Sequence, residues 1–145
     1  MTILRTESLC KTYPAFRLHD VSFSIEEGRV MGLIGRNGAG KTTTIKALLR
    51  LIRPDGGVIQ FLGKPVDDNA AELRRAAGYV SGDLCYYPRK KLSQLTAVTK
   101  SFYEDWNDAR YASLLKRFSL IDTKRVCELS AGMKVKYQLA CALSH

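Results

Sequence analysis

Apolar and polar positions alternate along the first third of the chain in the manner of β-strands. Residues 3–9 are β-prone, and residues 21–25 alternate with period two, which predicts one buried and one wet face. Residues 30–34 are apolar at every position. Such a run is typical of a strand buried on both faces inside an α/β sheet, so we expect a central strand there.

Helical spacing begins at Lys41, where apolar residues recur about every 3.6 positions up to residue 52 and stop at the turn sequence 54–57. Residues 58–62 and 78–81 favour strands, and residues 69–77 a short helix. From residue 87 onward the apolar positions mostly have helical spacing. We expect the aromatic side chains of this segment to pack against other apolar side chains. The pattern predicts an α/β fold, with a core over residues 1–84 and a helical segment over residues 85–145.

Length and composition fit one globular domain: the chain has 145 residues, 46% hydrophobic and 26% charged. Charged residues interrupt every apolar run before the ~18–20 residues of a spanning helix, so we expect no integral membrane protein. No secretory signal or C-x-x-C pair is present, which favours reduced cytosolic thiols and argues against a zinc site. The net charge of +9 indicates either an anionic partner or a solvated basic face.

The clearest chemical motif is residues 35–42, GRNGAGKT, which fits G-x-x-x-x-G-K-[ST] between an apolar run and an amphipathic helix. Glycines let the backbone wrap closely round a phosphate, and inward N–H groups with a helix N-terminus attract the anion. Lys41 can reach the β- and γ-phosphates, and the Thr42 hydroxyl can bind Mg²⁺. The motif predicts a P-loop without choosing among ATPases, GTPases and kinases. A plain glycine turn is the structural alternative.

The chain resembles the ATP-binding domain of ABC transporters. The resemblance rests on residues 9–13 and 21–28, the loop 30–43, the strand signal 54–63, and LSAGM at residues 129–133, which is similar to the signature motif L-S-G-G-Q. It covers nearly the whole chain. It implies a P-loop NTPase core with N-terminal antiparallel strands and a helical subdomain that is incomplete at its C-terminus.

The resemblance implies a role for each matching residue. Tyr13 stacks on adenine, with Phe16 as the alternative, or else Tyr13 is an ordinary half-buried strand residue. Ser130, Ala131 and Gly132 close over the nucleotide of a second, head-to-tail domain, or else Ser130 is only a helix N-cap. The phosphates and Mg²⁺ are held by Gly35, Arg36, Asn37, Gly38, Ala39, Gly40, Lys41, Thr42 and Thr43.

Two departures from the family pattern stand out. The signature has Ala131 and Met133 where glycine and glutamine are usual, which weakens a hydrogen bond across the dimer. The position of the glutamine that reaches Mg²⁺ is Gly82, which has no side chain to bind a metal. Asp83 follows it and could substitute, so its role as a metal ligand stays open.

The resemblance implies that the chain is part of an ATPase subunit of a prokaryotic ABC transporter that exports its substrate. Such a subunit works at the inner face of the membrane with a separate permease. In the family, the Walker B carboxylates and the switch histidine would follow residue 143. We therefore expect these 145 residues to bind ATP but to hydrolyse little of it. We also expect residues 30–34 to lack a partner strand. There are two alternatives: an ABC-family ATPase that acts on ribosomes or DNA, and a non-catalytic nucleotide-binding fragment. Nucleic acid is not the expected partner.

Overall fold

A computed structural model describes residues 1–81 and 87–145 of the chain. Internal contacts divide it into two compact units, Met1–Arg74 and Arg75–His145. Each unit has its own apolar core and is described by itself. No helix in the described residues is both long and apolar enough to cross a bilayer.

The first unit is built on an antiparallel sheet of four strands. They are β1 (Thr2–Tyr13), β2 (Phe16–Glu26), β3 (Gly56–Phe61) and β4 (Lys64–Pro65), in the order β2-β1-β3-β4. A two-residue turn joins β1 to β2, so that Tyr13 pairs with Phe16. The expected N-terminal antiparallel strands are therefore confirmed.

This unit also contains helix α1 (Lys41–Leu48) and, up to Arg74, helix α2 (Val66–Ala76). Asp55 joins the end of β1 to the turn before β3, because it accepts hydrogen bonds from Lys11 Nζ and the Thr12 backbone N–H, each at 2.7 Å. These bonds lower the pKa of Asp55. The buried apolar side chains come from strands and helices alike: Leu9, Leu18, Ala47, Ile59, Phe61, Val66 and Leu73.

The prediction of a buried central strand over residues 30–34 is wrong. These residues form no strand, and the side chains of Val30 and Ile34 are 100% and 95% exposed. A strand requires a neighbour for its backbone groups, and within residues 1–81 and 87–145 no strand pairs with this segment. The strand predicted over residues 78–81 is wrong for the same reason, since it also has no pairing partner in the described sheet.

The second unit is helical, as predicted, with α3 (Leu92–Lys100), α4 (Asp108–Arg117), a 3₁₀ turn (Val126–Glu128) and α5 (Ala131–Ala142). In its core the Thr96 hydroxyl lies 2.7 Å from the Tyr111 hydroxyl and 3.0 Å from that of Tyr137. Burial raises the pKa of Tyr111 to about 12. The surrounding core residues are Leu92, Leu95, Leu120, Val126, Leu129 and Ala140.

Candidate functional site

The glycine-rich loop leads directly into α1. Gly40 precedes the first helical residue with φ 92°, and Gly38 has φ 82°, both in the left-handed region that disfavours side chains. A Cβ on Gly40 would also lie 2.7 Å from Phe16 Cζ and 2.9 Å from Leu18 Cδ1. Gly40 is thus required both for its backbone angle and for the close approach of β2 to the loop.

The loop leaves a group of backbone N–H donors unused. In residues 1–81 and 87–145, the N–H groups of Gly38, Gly40, Lys41, Thr42 and Thr43 donate to no acceptor of the protein. By contrast, the Ala39 N–H donates to Arg36 O at 3.1 Å and the Thr44 N–H to Gly40 O at 2.8 Å. Consecutive unpaired donors at the start of a helix form an anion-binding concavity.

The Lys41 side chain folds back over the loop. Its Nζ donates hydrogen bonds to Gly35 O at 2.6 Å and Arg36 O at 2.8 Å. Both acceptors are neutral carbonyls, and a phosphate oxygen is a stronger acceptor for an ammonium group. The arrangement holds the loop in shape and keeps a cation beside the free N–H groups.

These groups border a cleft of about 490 Å³ whose lining comprises Ala15, Phe16, Asn37, Gly38, Ala39, Gly40, Lys41, Thr42 and Thr43. Thr42 is exposed, and its hydroxyl has no hydrogen-bond partner in the described part of the chain. The Thr44 hydroxyl is instead engaged, donating to Gly40 O at 3.0 Å. Thr42 therefore suits a Mg²⁺ ion that takes its other oxygens from phosphate and water.

The two candidate aromatic residues lie at the β1–β2 turn. Their ring centroids are 6.5 Å apart and their planes differ by 28°. Phe16 lines the cleft, whereas Tyr13 lies next to it, 40% exposed, with Lys11 Nζ 5.7 Å from its ring centroid. Ala15 also lines the cleft and was not predicted; its place in the turn beside Phe16 is the only sequence signal for it.

The signature residues begin α5 in the second unit. Ser130 is the N-cap, and its Oγ accepts a hydrogen bond from the Met133 N–H at 3.2 Å. Ser130, Ala131 and Gly132 are exposed, and a Cβ on Gly132 would meet no atom within 4 Å. Met133 packs against the core of this unit, which explains an apolar side chain there.

Two other predicted positions, Gly82 and Asp83, lie outside the described residues. Within the described residues, no group of three or more histidine, cysteine, aspartate or glutamate side chains could hold a metal ion. A cation at the cleft would therefore depend on the Thr42 hydroxyl and on the oxygens of its ligand.

Comparisons with known proteins point to a single family. The model of the ABC transporter family matches residues 18–145. The chain is 32% identical over 128 residues to the ABC transporter ATP-binding protein YtrB of Bacillus subtilis, covering 88% of this chain and 43% of that protein. It is 36% identical over 131 residues to the Nod factor export ATP-binding protein I of Burkholderia lata, covering 87% and 43%.

A solved ATP-binding subunit of an ABC transporter has the same fold. It superimposes with a TM-score of 0.83 at 31% identity, over 97% of this chain and 61% of that one. The predicted fold class is thereby confirmed. The chain spans 43% of the length of these curated relatives.

Proposed function

The chain belongs to the ABC transporter family, and we propose that it binds MgATP within an ATPase subunit that drives export through a separate membrane permease. The observation that supports this best is the loop at α1. There, five unpaired N–H groups, the Lys41 ammonium and the free Thr42 hydroxyl border one cleft. This combination of donors and a hard oxygen ligand matches a magnesium–triphosphate group.

Binding at this site follows from an exchange of hydrogen bonds. The β-phosphate occupies the concavity of free N–H groups, where it also meets the positive end of α1. Lys41 Nζ gives up the carbonyls of Gly35 and Arg36 and donates to the β- and γ-phosphate oxygens. Thr42 would hold Mg²⁺ through its hydroxyl oxygen, and the ion would neutralise charge on the phosphates.

The cleft supplies binding and orientation. Its described lining residues include no carboxylate that could polarise a water molecule. We therefore assign nucleotide and Mg²⁺ binding to residues 35–43, and ATP hydrolysis to the assembled subunit. Phosphoryl transfer depends chiefly on positioning and charge stabilisation, and these loop groups hold the phosphates in place for it.

The second part of the proposal concerns a head-to-tail pair of ATP-binding domains. Ser130 and Gly132 are exposed at the start of α5, where the backbone N–H groups and the helix dipole favour a phosphate. The N-cap bond to Met133 uses one lone pair of Ser130 Oγ and leaves its proton available for donation. In our proposal this hydroxyl donates to the γ-phosphate bound by the partner domain.

Export is supported by the similarity to the Nod factor export protein. In our proposal the subunit works in the cytoplasm, at the inner face of the membrane, beside a permease. The alternative, an ABC-family ATPase that acts on ribosomes or DNA, keeps the same nucleotide site. Affinity purification from membrane and ribosomal fractions distinguishes them: recovery with a multi-spanning membrane protein supports export, and recovery with ribosomes or DNA contradicts it.

The base-binding part of the site gives a sharp test. Because Phe16 lines the cleft and Tyr13 lies beside it, we propose that the pair forms the wall on which adenine stacks. Stacking of a base on an aromatic ring contributes about 1–3 kcal/mol. We expect Phe16→Ala to weaken MgATP binding about 10- to 100-fold in isothermal titration calorimetry, and Tyr13→Ala to weaken it less.

Inorganic tripolyphosphate serves as the matched ligand, because it has the phosphates and no base. Its affinity should be unchanged by either substitution. Phe102→Ala, which removes an exposed aromatic ring from the second unit, is the matched variant and should bind MgATP normally. An equal loss for MgATP and tripolyphosphate in Phe16→Ala would show that Phe16 only supports the loop.

A further inference from the structure

A carboxylate outside the cleft holds the end of strand β1. Asp55 directly precedes β3 and forms hydrogen bonds with three consecutive residues of β1. Its backbone N–H donates to Cys10 O at 2.9 Å, and its carboxylate accepts from Lys11 Nζ and from the Thr12 N–H, each at 2.7 Å. The last register pair between β1 and β3 is Cys10 with Gly56, so the carboxylate takes the place of a further strand partner for Thr12.

The Lys11 ammonium group links this carboxylate to an aromatic ring. Lys11 and Tyr13 are two residues apart on β1, so their side chains lie on the same face of the strand. Lys11 Nζ is 5.7 Å from the Tyr13 ring centroid, within the range of a cation–π interaction. The Lys11 side chain has a flexible stem and is 19% exposed, and its ion pair with Asp55 holds the ammonium group in this position.

The two rings at the β1–β2 turn are held by different contacts. Phe16 packs against the glycine-rich loop, where a Cβ on Gly40 would lie 2.7 Å from Phe16 Cζ. Tyr13 is 40% exposed, and its neighbours include the Phe16 ring at 6.5 Å and the Lys11 cation. Asp55 therefore acts on the position of Tyr13 in two ways, through the backbone of the preceding residue and through the Lys11 ammonium group.

Asp55 and its β1 partners are not among the described residues that line the cleft, so the carboxylate would affect a nucleotide only through Tyr13. We propose that Asp55 is a positioning residue for nucleotide binding, which sets Tyr13 beside Phe16 before the base arrives. A group that is already ordered binds more tightly, because less entropy is lost on binding. This inference rests on the proposed function, since it concerns the wall on which adenine would stack.

A ligand without a base separates positioning from general damage to the site. We expect Asp55→Ala to weaken MgATP binding by the 145-residue chain about three- to fivefold in isothermal titration calorimetry, which is the size of one net hydrogen bond. The affinity for inorganic tripolyphosphate should stay the same or rise slightly, because loss of a negative charge favours an anion. Asp55→Asn keeps an oxygen that accepts the Thr12 N–H, so its MgATP affinity should lie between those of Asp55→Ala and the natural chain.

A double substitution shows whether the effect passes through Tyr13. In a Tyr13→Ala chain, the further change Asp55→Ala should alter the MgATP affinity less than about 1.5-fold, because the ring that it positions is absent. Glu7→Ala is the matched control. Glu7 is an exposed carboxylate nearer the middle of β1, where it pairs with Arg5, and its removal should also change the affinity less than about 1.5-fold.

Three results would each overturn the inference: equal losses of MgATP and tripolyphosphate affinity in Asp55→Ala, an undiminished loss in the Tyr13→Ala chain, or the same loss in Glu7→Ala. MgATP binding that Asp55→Ala leaves unchanged would also overturn it, while the proposed function would stand. Failure of the natural chain to bind MgATP would overturn the proposed function, and this inference with it. Thermal melts show whether each variant is folded, and Asp55→Asn carries the same tests should Asp55→Ala not fold.

Discussion

Replacing Lys41 with alanine should lower the affinity of the chain for MgATP about 100-fold. The reason is that the ammonium group is the only side-chain cation among the described residues that line the cleft. In the proposed complex it donates to both the β- and the γ-phosphate. Hydrogen bonds to charged groups contribute about 1.5–3 kcal/mol each, so loss of both at the lower end of that range costs about 3 kcal/mol, or slightly more than a factor of 100. Isothermal titration calorimetry with MgATP measures the change.

Lys46→Ala is the matched control, since Lys46 is an exposed lysine in the last turn of the same helix. It removes the same charge from α1 and should leave the affinity within about twofold. Thermal melts should show that both variants fold, because Lys41 contributes only two exposed hydrogen bonds to the free loop. Equal affinities for Lys41→Ala and Lys46→Ala would place the phosphates elsewhere.

Gly40→Ala is the second substitution with a large effect. Alanine at φ 92° costs about 1–2 kcal/mol of backbone strain. The new methyl group also meets Phe16 Cζ at 2.7 Å and Leu18 Cδ1 at 2.9 Å, and such overpacking costs about 1–3 kcal/mol more. We expect the free energy of unfolding to fall by about 2–5 kcal/mol in urea titrations, with loss of MgATP binding because the loop must shift.

Gly38→Ala separates the two causes. Gly38 has φ 82°, yet a Cβ there would meet no atom within 4 Å, so only the strain of about 1–2 kcal/mol applies. Shortening Phe16 to leucine should then recover part of the loss in Gly40→Ala and none of it in Gly38→Ala. Equal destabilisation by both glycine substitutions would contradict the contact between β2 and the loop.

The conformation of the glycine-rich loop was predictable from the sequence because it depends on local residues. The backbone angles of Gly38 and Gly40 and the hydrogen bonds of Lys41 all lie within nine consecutive residues, so the spacing alone indicates the loop. The helices around Leu92, Leu95 and Tyr111 were equally predictable, since a 3.6-residue period reports the buried face.

Long-range features were not predictable in this way. The apolar run at residues 30–34 reports a tendency to be buried, but strand formation also depends on a neighbour distant in sequence. Likewise, the contact of Phe16 with Gly40 depends on how the β1–β2 hairpin lies against the loop. The core position of Met133 depends on which face of α5 is buried. The five-residue signature at residues 129–133 is too short to define that face.

Backbone amide resonances of the labelled chain, followed while MgATP is added, report nucleotide binding residue by residue. We predict saturable shifts at the unpaired N–H groups of Gly38, Gly40, Lys41, Thr42 and Thr43, smaller shifts at Phe16, and unchanged resonances for Thr96, Tyr111 and Tyr137 in the core of the second unit. Saturation by MgATP with no shift in residues 35–43, or no saturable shift at all, would contradict nucleotide binding at this loop.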